Sequence, residues 1–189
     1  MLPIMSRFFL VSKTIFLLLA GIVLPLVSRA QMSFPAPPAE PQRLFYVQRD
    51  PNANTIVYDA NTISNGRAFN TKHPIRVYWI KYAENGQVEP LNYLQRSLAY
   101  GVEVRPVAGK TTEYEFNVVS YAKRKLRLFI DEAGRPHAVL NINGKQAWLD
   151  RVYVKIVGKK VGLVPNVKYV ELFGTDPKTG ASVYEKFIP

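Results

Sequence analysis

A chain of 189 residues with 48% apolar side chains is long enough to bury a core of its own, which excludes intrinsic disorder as its ground state. The absence of cysteine excludes disulfide staples, thiolate metal sites and a cysteine nucleophile. A formal net charge of +11 favours anionic partners and acts on encounter rate and solubility rather than on fold.

The first stretch reads as an export signal over residues 1–30. Arg7 and Lys13 precede or interrupt an apolar run ending at Val27, and Ser28-Arg29-Ala30 places small residues around a cut before Gln31. The competing reading is an uncleaved anchor over Phe8 to Val27. Cleavage removes Arg7, Lys13 and Arg29 and no acid, lowering the charge from +11 to +8, and leaves no membrane span. The mature protein is thus expected to be periplasmic or secreted. Residues 31–42 carry Pro35, Pro37, Pro38 and Pro41 and form a proline-rich extended spacer before a single β-rich domain over 43–189.

Within the domain, Leu44 to Arg49 and Thr55 to Ala60 flank the turn Asp50-Pro51-Asn52-Ala53-Asn54 and form an antiparallel hairpin. Leu44 and Tyr46 share one face of it, Phe45 and Val47 the other. Asn61 to Lys72 lacks periodicity and reads as a loop. His73 to Tyr82, crowded with β-branched and aromatic residues and closed by Asn85-Gly86, is expected to be the central strand. Period-2 alternation puts Ile75, Val77 and Trp79 on its dry face and Arg76, Tyr78, Ile80 and Tyr82 on the other.

One helix follows. Pro90 suits its first turn, Leu91, Leu94 and Leu98 recur at helical spacing as a stripe to pack on the sheet, and Gly101 is placed to stop it in the left-handed conformation. Strands then succeed one another: Val102 to Val107, Glu113 to Tyr121, Lys125 to Asp131, Pro136 to Ile142, Lys145 to Val157, Lys168 to Phe173 and Ser182 to Ile188. Glu132-Ala133-Gly134-Arg135, Asn143-Gly144, Gly158-Lys159-Lys160 and Asp176-Pro177-Lys178-Thr179-Gly180 mark the reversals, with a type I′ turn at Asn143-Gly144. The alternation slips near Asp150 to Val152, which predicts a bulge in the long strand. About ten strands and one short helix packed on them specify an all-β fold, an antiparallel meander closed as a barrel or layered as a sandwich.

Phe45-Tyr46-Val47-Gln48-Arg49-Asp50, Thr55-Ile56-Val57-Tyr58-Asp59, His73-Pro74-Ile75-Arg76-Val77-Tyr78-Trp79, Gln95-Arg96 with Ala99-Tyr100-Gly101, and Tyr169-Val170-Glu171-Leu172 with Gly174 resemble an exported, mainly bacterial family catalogued as a domain of unknown function, the DUF 4833 type. The resemblance covers Arg43 to the C-terminus. It implies one domain behind a signal peptide and carries no catalytic residue.

Chemistry is sparsely marked. His73 and His137 are far apart and lack metal-motif spacing, so no metal and no cofactor is expected. No serine sits in a Gly-x-Ser-x-Gly elbow. Asp59, Glu103, Glu113, Glu115 and Asp150 offer carboxylates for a hydrolase, but carboxylates also populate solvated strand faces. The polar constellation that stands out is basic and aromatic: Arg49, His73, Arg76, Tyr78, Arg96, Tyr100, Tyr121 and Arg124. Arginine forks suit carboxylate, sulfate or phosphate groups, and tyrosine adds a stacking face. Arg76, Tyr78, Arg96, Tyr100 and His73 are accordingly the expected ligand-binding residues, with no catalytic residue assigned. Arg76 is expected to be at least half-buried beside an anionic or carbonyl partner. In Lys123-Arg124-Lys125-Leu126-Arg127, alternation sends Lys123, Lys125 and Arg127 to solvent and Arg124, Leu126 and Leu128 inward, so it is not a nucleic-acid patch. The reading is a non-enzymatic exported module for an anionic or sugar-like ligand, a small molecule or a glycan. Its alternatives are an envelope interaction protein held by protein partners or anionic lipid, and a carboxylate-based hydrolase.

Overall fold

The computed structural model describes residues 34–110, 112–158 and 165–189. The expected signal peptide, the first part of the proline-rich stretch, and Lys159 and Lys160 of one expected reversal lie outside the described residues. No helix among the described residues is long and apolar enough to cross a membrane.

The strands in chain order are β1 (Arg43–Arg49), β2 (Asn52–Ala60), β3 (Thr62–Ile63), β4 (Ala68–Phe69), β5 (Ile75–Ile80), β6 (Val88–Pro90), β7 (Val102–Pro106), β8 (Glu113–Val118), β9 (Leu126–Ile130), β10 (Pro136–Ile142), β11 (Lys145–Ile156), β12 (Val167–Thr175) and β13 (Ser182–Phe187). Between β6 and β7 lies α1 (Tyr93–Gln95), continued by a π turn over Arg96–Tyr100. Apart from the β3-β4 ribbon, all strands join one curled sheet, a half-barrel. The expected β class and the meander from β7 to β13 are observed.

β11 organises the sheet, because it has three neighbours and only two edges. β12 takes one edge from Trp148 to Ile156. On the other, β10 pairs with Lys145 to Trp148, and β1 pairs with Arg151 to Val154. The sheet therefore splits at Leu149 and Asp150 into two wings, β1-β2-β5-β6 and β10-β9-β8-β7. Their inner faces meet: Phe45 stacks on Tyr58 at 4.3 Å and faces Phe116 at 6.4 Å, while Phe69 meets Tyr114 edge-on at 5.7 Å. Ile56, Tyr58, Leu128, Ile142 and Ala147 are fully buried between the wings. Ile56, Leu128 and Ile142 each contribute about 1.5–3 kcal/mol relative to exposure.

Several expectations change. β5 is not central; it lies between β2 and the short edge strand β6. Its faces are as alternation requires, with Ile75, Val77 and Trp79 in the core cluster and Tyr78 turned away. Pairing is not antiparallel throughout, since β1 runs parallel to β11. A register shift between Arg43 and Phe45 lets Leu44 join Phe45 and Val47 in the core. The bulge in the long strand is present between Leu149 and Arg151. Asn143 and Gly144 both have positive φ, at 49° and 81°, as a type I′ turn demands.

The helix differs most. Pro90 belongs to β6, and Asn92 is the N-cap, its side chain accepting from the Gln95 amide while the Gln95 side chain accepts from the Asn92 amide. Leu91 precedes the helix and is buried, but Leu94 and Leu98 are 59% and 57% exposed, so the expected apolar stripe does not pack. Gly101 is extended, not left-handed. Its glycine is required by proximity, because a Cβ there would lie 2.0 Å from the Arg96 carbonyl oxygen.

Residues 34–40, which form no regular secondary structure, lie over the outer face of β1, β2 and β5, where Val57 and Thr55 are fully buried although they point away from the core cluster. Gln48 donates to the Pro35 carbonyl at 2.9 Å, Tyr82 to that of Ala36 at 3.3 Å, and Arg43 to that of Pro38 at 3.1 Å.

Candidate functional site

The split in the sheet leaves a cleft of about 360 Å³. Glu40, Pro41, Arg43 and Leu44 form one wall, Arg135 to Ala138 at the start of β10 the opposite wall, and Trp148 to Asp150 the floor. Local sequence builds it. In the β9-β10 turn, Gly134 adopts φ 78° and the Asp131 carboxylate accepts from the Arg135 amide at 2.8 Å and from its Nε at 3.1 Å. His137 Nε2 meets the same Oδ2 that accepts from Arg135 Nε, at 3.0 Å, while the Arg135 amide holds Oδ1. Partial burial pushes Asp131 up, but the hydrogen bonds from His137 and the Arg135 amide, with the Arg135 charge, prevail and hold it at about 2.

Register places the rings. Phe129 pairs with His137 across β9 and β10, and the Asn143-Gly144 turn sets Val139 opposite Trp148, one diagonal step from His137. The result is an aromatic row: Phe129 to His137 at 5.6 Å, and His137 stacked on Trp148 at 4.0 Å with 13° between planes. Asp150 occupies the bulge, where Thr175 Oγ1 donates to it at 2.8 Å. Loss of hydration there raises its carboxyl, against partial offsets from the Thr175 hydroxyl and the nearby His137. The cleft thus offers a ring platform, two acceptor carboxylates in Glu40 and Asp150, and the donors of Arg43 and Arg135.

The five residues expected from the sequence do not share one concavity. Arg76 and Tyr78 meet at Asp59 on the outer face: Tyr78 donates to Oδ2 at 2.7 Å, Arg76 Nη2 lies at 3.5 Å from it, and Arg43 Nε occupies Oδ1 at 2.6 Å. Burial first, then the bond to the Asp59 carboxylate, raises the Tyr78 phenol. Arg76 finds the expected anion, but its side chain is 70% exposed rather than half-buried, because it approaches Asp59 from the solvent side. Tyr100 belongs to the opposite face of β5. It packs edge-on against Trp79 at 5.2 Å, under the Arg49 guanidinium, and burial raises its phenol despite that charge. Arg96 reaches the Leu91 carbonyl at 3.4 Å, and His73 is exposed at a turn, its amide held by Asn70. Arg124 pairs with Glu185 of β13.

In the basic run, Leu126 and Leu128 are buried and Lys125 and Arg127 exposed, as alternation requires. A second, shallower hollow of about 230 Å³ lies on that outer face, beside the Lys125 to Glu115 pair at 3.7 Å. Among the described residues no group of three or more histidine or carboxylate side chains is placed to hold a metal.

A family model described as a domain of unknown function, DUF4833, matches residues 45–186. No curated protein and no solved structure matches the chain.

Proposed function

The chain belongs to the DUF4833 family, a domain of unknown function, and on that premise we propose that it is an exported binding module for a sugar-like ligand, which it takes in the cleft between β1 and β10. The observation that carries the reading is the Phe129-His137-Trp148 row opening on a hollow edged by Asp150, Glu40, Arg43 and Arg135. A pyranose ring has an apolar C–H face and a rim of hydroxyls; the first suits a stacked ring, the second needs acceptors and donors at its border. The volume falls at the lower end of small-ligand sites, roughly 300–1,000 Å³, which fits one or two sugar rings. Export rests on the leader pattern of residues 1–30.

Tryptophan fluorescence tests it, because of the two tryptophans Trp79 is buried in the core and Trp148 floors the cleft. Titration with N-acetylglucosamine and glucuronate disaccharides should give a saturable change that His137→Ala and Asp150→Ala each weaken about tenfold. No saturable change up to about 10 mM with either neutral or acidic disaccharides would sink the proposal.

A second reading draws on the raised Asp150 carboxyl in the same cleft as Glu40. A carboxyl whose pKa is raised is the better candidate to donate to a leaving glycosidic oxygen while a second carboxylate handles water, which is hydrolase chemistry. Release of nitrophenol from aryl glycosides, lost in Asp150→Asn, supports it; binding without release supports the module alone.

A further inference from the structure

The proline-rich stretch at the head of the domain is gripped in a specific way. Proline fixes φ near the polyproline II value and biases the residue before it to extended backbone, so Phe34-Pro35-Ala36-Pro37-Pro38 is extended by its own sequence. That helix makes no internal hydrogen bonds, so its carbonyls await donors from elsewhere. Here the donors are side chains of the sheet: Gln48 for Pro35, Tyr82 for Ala36 and Arg43 for Pro38. One is fixed independently of the strap, because Arg43 is anchored by Asp59, and Gln48 is 2% exposed beneath it. Phe34 lies on the Tyr153 ring at 5.9 Å, and Pro37 is buried. Removing the stretch would leave the Gln48 amide without that acceptor, a cost that another carbonyl-presenting chain would relieve.

We propose that the outer face of β1, β2 and β5 is a polyproline-recognition groove, filled here by the chain's own residues 34–38 and open to an aromatic-Pro-x-Pro-Pro segment of a partner polypeptide when that strap lifts. Aromatic rings and side-chain donors aimed at carbonyls are how a preformed, low-entropy polyproline chain is read. The covalent strap competes at an effective concentration on the order of millimolar, so it sets a threshold that the partner must exceed. The groove adjoins the sugar cleft at Arg43, which serves both, but Gln48, Tyr82 and Tyr153 lie outside that cleft, so loss of peptide binding and loss of sugar binding are separable.

The probe is a fluorescein-labelled peptide of residues 34–41, read by anisotropy against the mature chain. Phe34→Ala/Pro37→Ala weakens the strap and should raise peptide affinity about tenfold or more over wild type, and adding Gln48→Ala should reverse the gain. A peptide with alanine at every proline should bind the strap variant at least about tenfold less well. Equal affinity for wild type and strap variant, or for proline and alanine peptides, overturns the inference. Should the double variant lose cooperative unfolding, Phe34→Ala alone, which removes one ring at the surface, takes its place in the same titration.

Discussion

Removing the Asp59 carboxylate should separate what is structural on the outer face from what is free to bind. Its side chain is 3% exposed, and both oxygens are engaged, Oδ1 by Arg43 at 2.6 Å and Oδ2 by Tyr78 at 2.7 Å. The Arg43 side chain is itself only 13% exposed, so Asp59→Ala strands a buried charge and leaves the Tyr78 phenol without its acceptor. Breaking a buried pair from one side costs about 3–5 kcal/mol. For a domain of this size, that is a melting-point drop of roughly 6 to 20 °C. Arg76, 70% exposed, is the contrast: a solvent-screened partner at 3.5 Å contributes at most about 1 kcal/mol, so Arg76→Ala should leave unfolding nearly unchanged. Urea unfolding of both single variants and of the double variant, with midpoint and slope compared, gives the coupling directly. The reasoning fails if Asp59→Ala stays within about 1 kcal/mol of wild type, or if Arg76→Ala costs as much as Asp59→Ala.

Leu91→Ala should destabilise by about 2–4 kcal/mol, whereas Leu94→Ser and Leu98→Ser should each stay within about 0.5 kcal/mol, because only Leu91 is buried; urea midpoints distinguish the three. Gly101→Ala should cost about 1–3 kcal/mol through contact with the Arg96 carbonyl, and a melting curve matching wild type would contradict that geometry. Asp131 is lowered on folding to about 2 from its ordinary 3.8, so its contribution is present above about pH 4 and is lost as pH falls towards 2. The stability gap between wild type and Asp131→Asn should therefore close over that window in acid-series urea melts, and a gap that widened would reverse the assignment.

Local chemistry was readable where a turn dictates register. Asn143-Gly144 commits both residues to positive φ, which sets Ile142 opposite Lys145 and, counting back, Val139 opposite Trp148. The neighbourhood of His137 and Trp148 is thus legible in the sequence, through the register that this turn sets. Longer-range pairing was not readable. β1 and β11 join in parallel across most of the domain with no local signal, so the cleft made where β1 replaces β10 could not be inferred. Alternation placed Arg76 and Tyr78 on the correct face of β5, but burial depends on which neighbours arrive and from which side. The leucine spacing misled for a simpler reason: Leu91 precedes the Asn92 cap, so it belongs to no helical stripe with Leu94 and Leu98.

The bulge at Asp150 links the fold to both proposed surfaces. Before it, Ala147 and Leu149 face the core and Trp148 faces out; after it, Val152 and Val154 face the core, and Tyr153 and Lys155 face out with Asp50. Were the same residues paired regularly with no bulge, strict alternation would turn Arg151 and Tyr153 inward and expose the valines. One inserted residue therefore does three things at once. It frees an edge of β11 where β10 can give way to β1, and it puts a carboxylate on the floor of the resulting cleft. It also restores the parity that sets Tyr153 beneath Phe34, at the end of the proline strap. An alternation slip in a long strand is thus a better pointer to the cleft in this chain than its arginine-tyrosine composition, because the slip marks where the backbone can no longer pair on both sides.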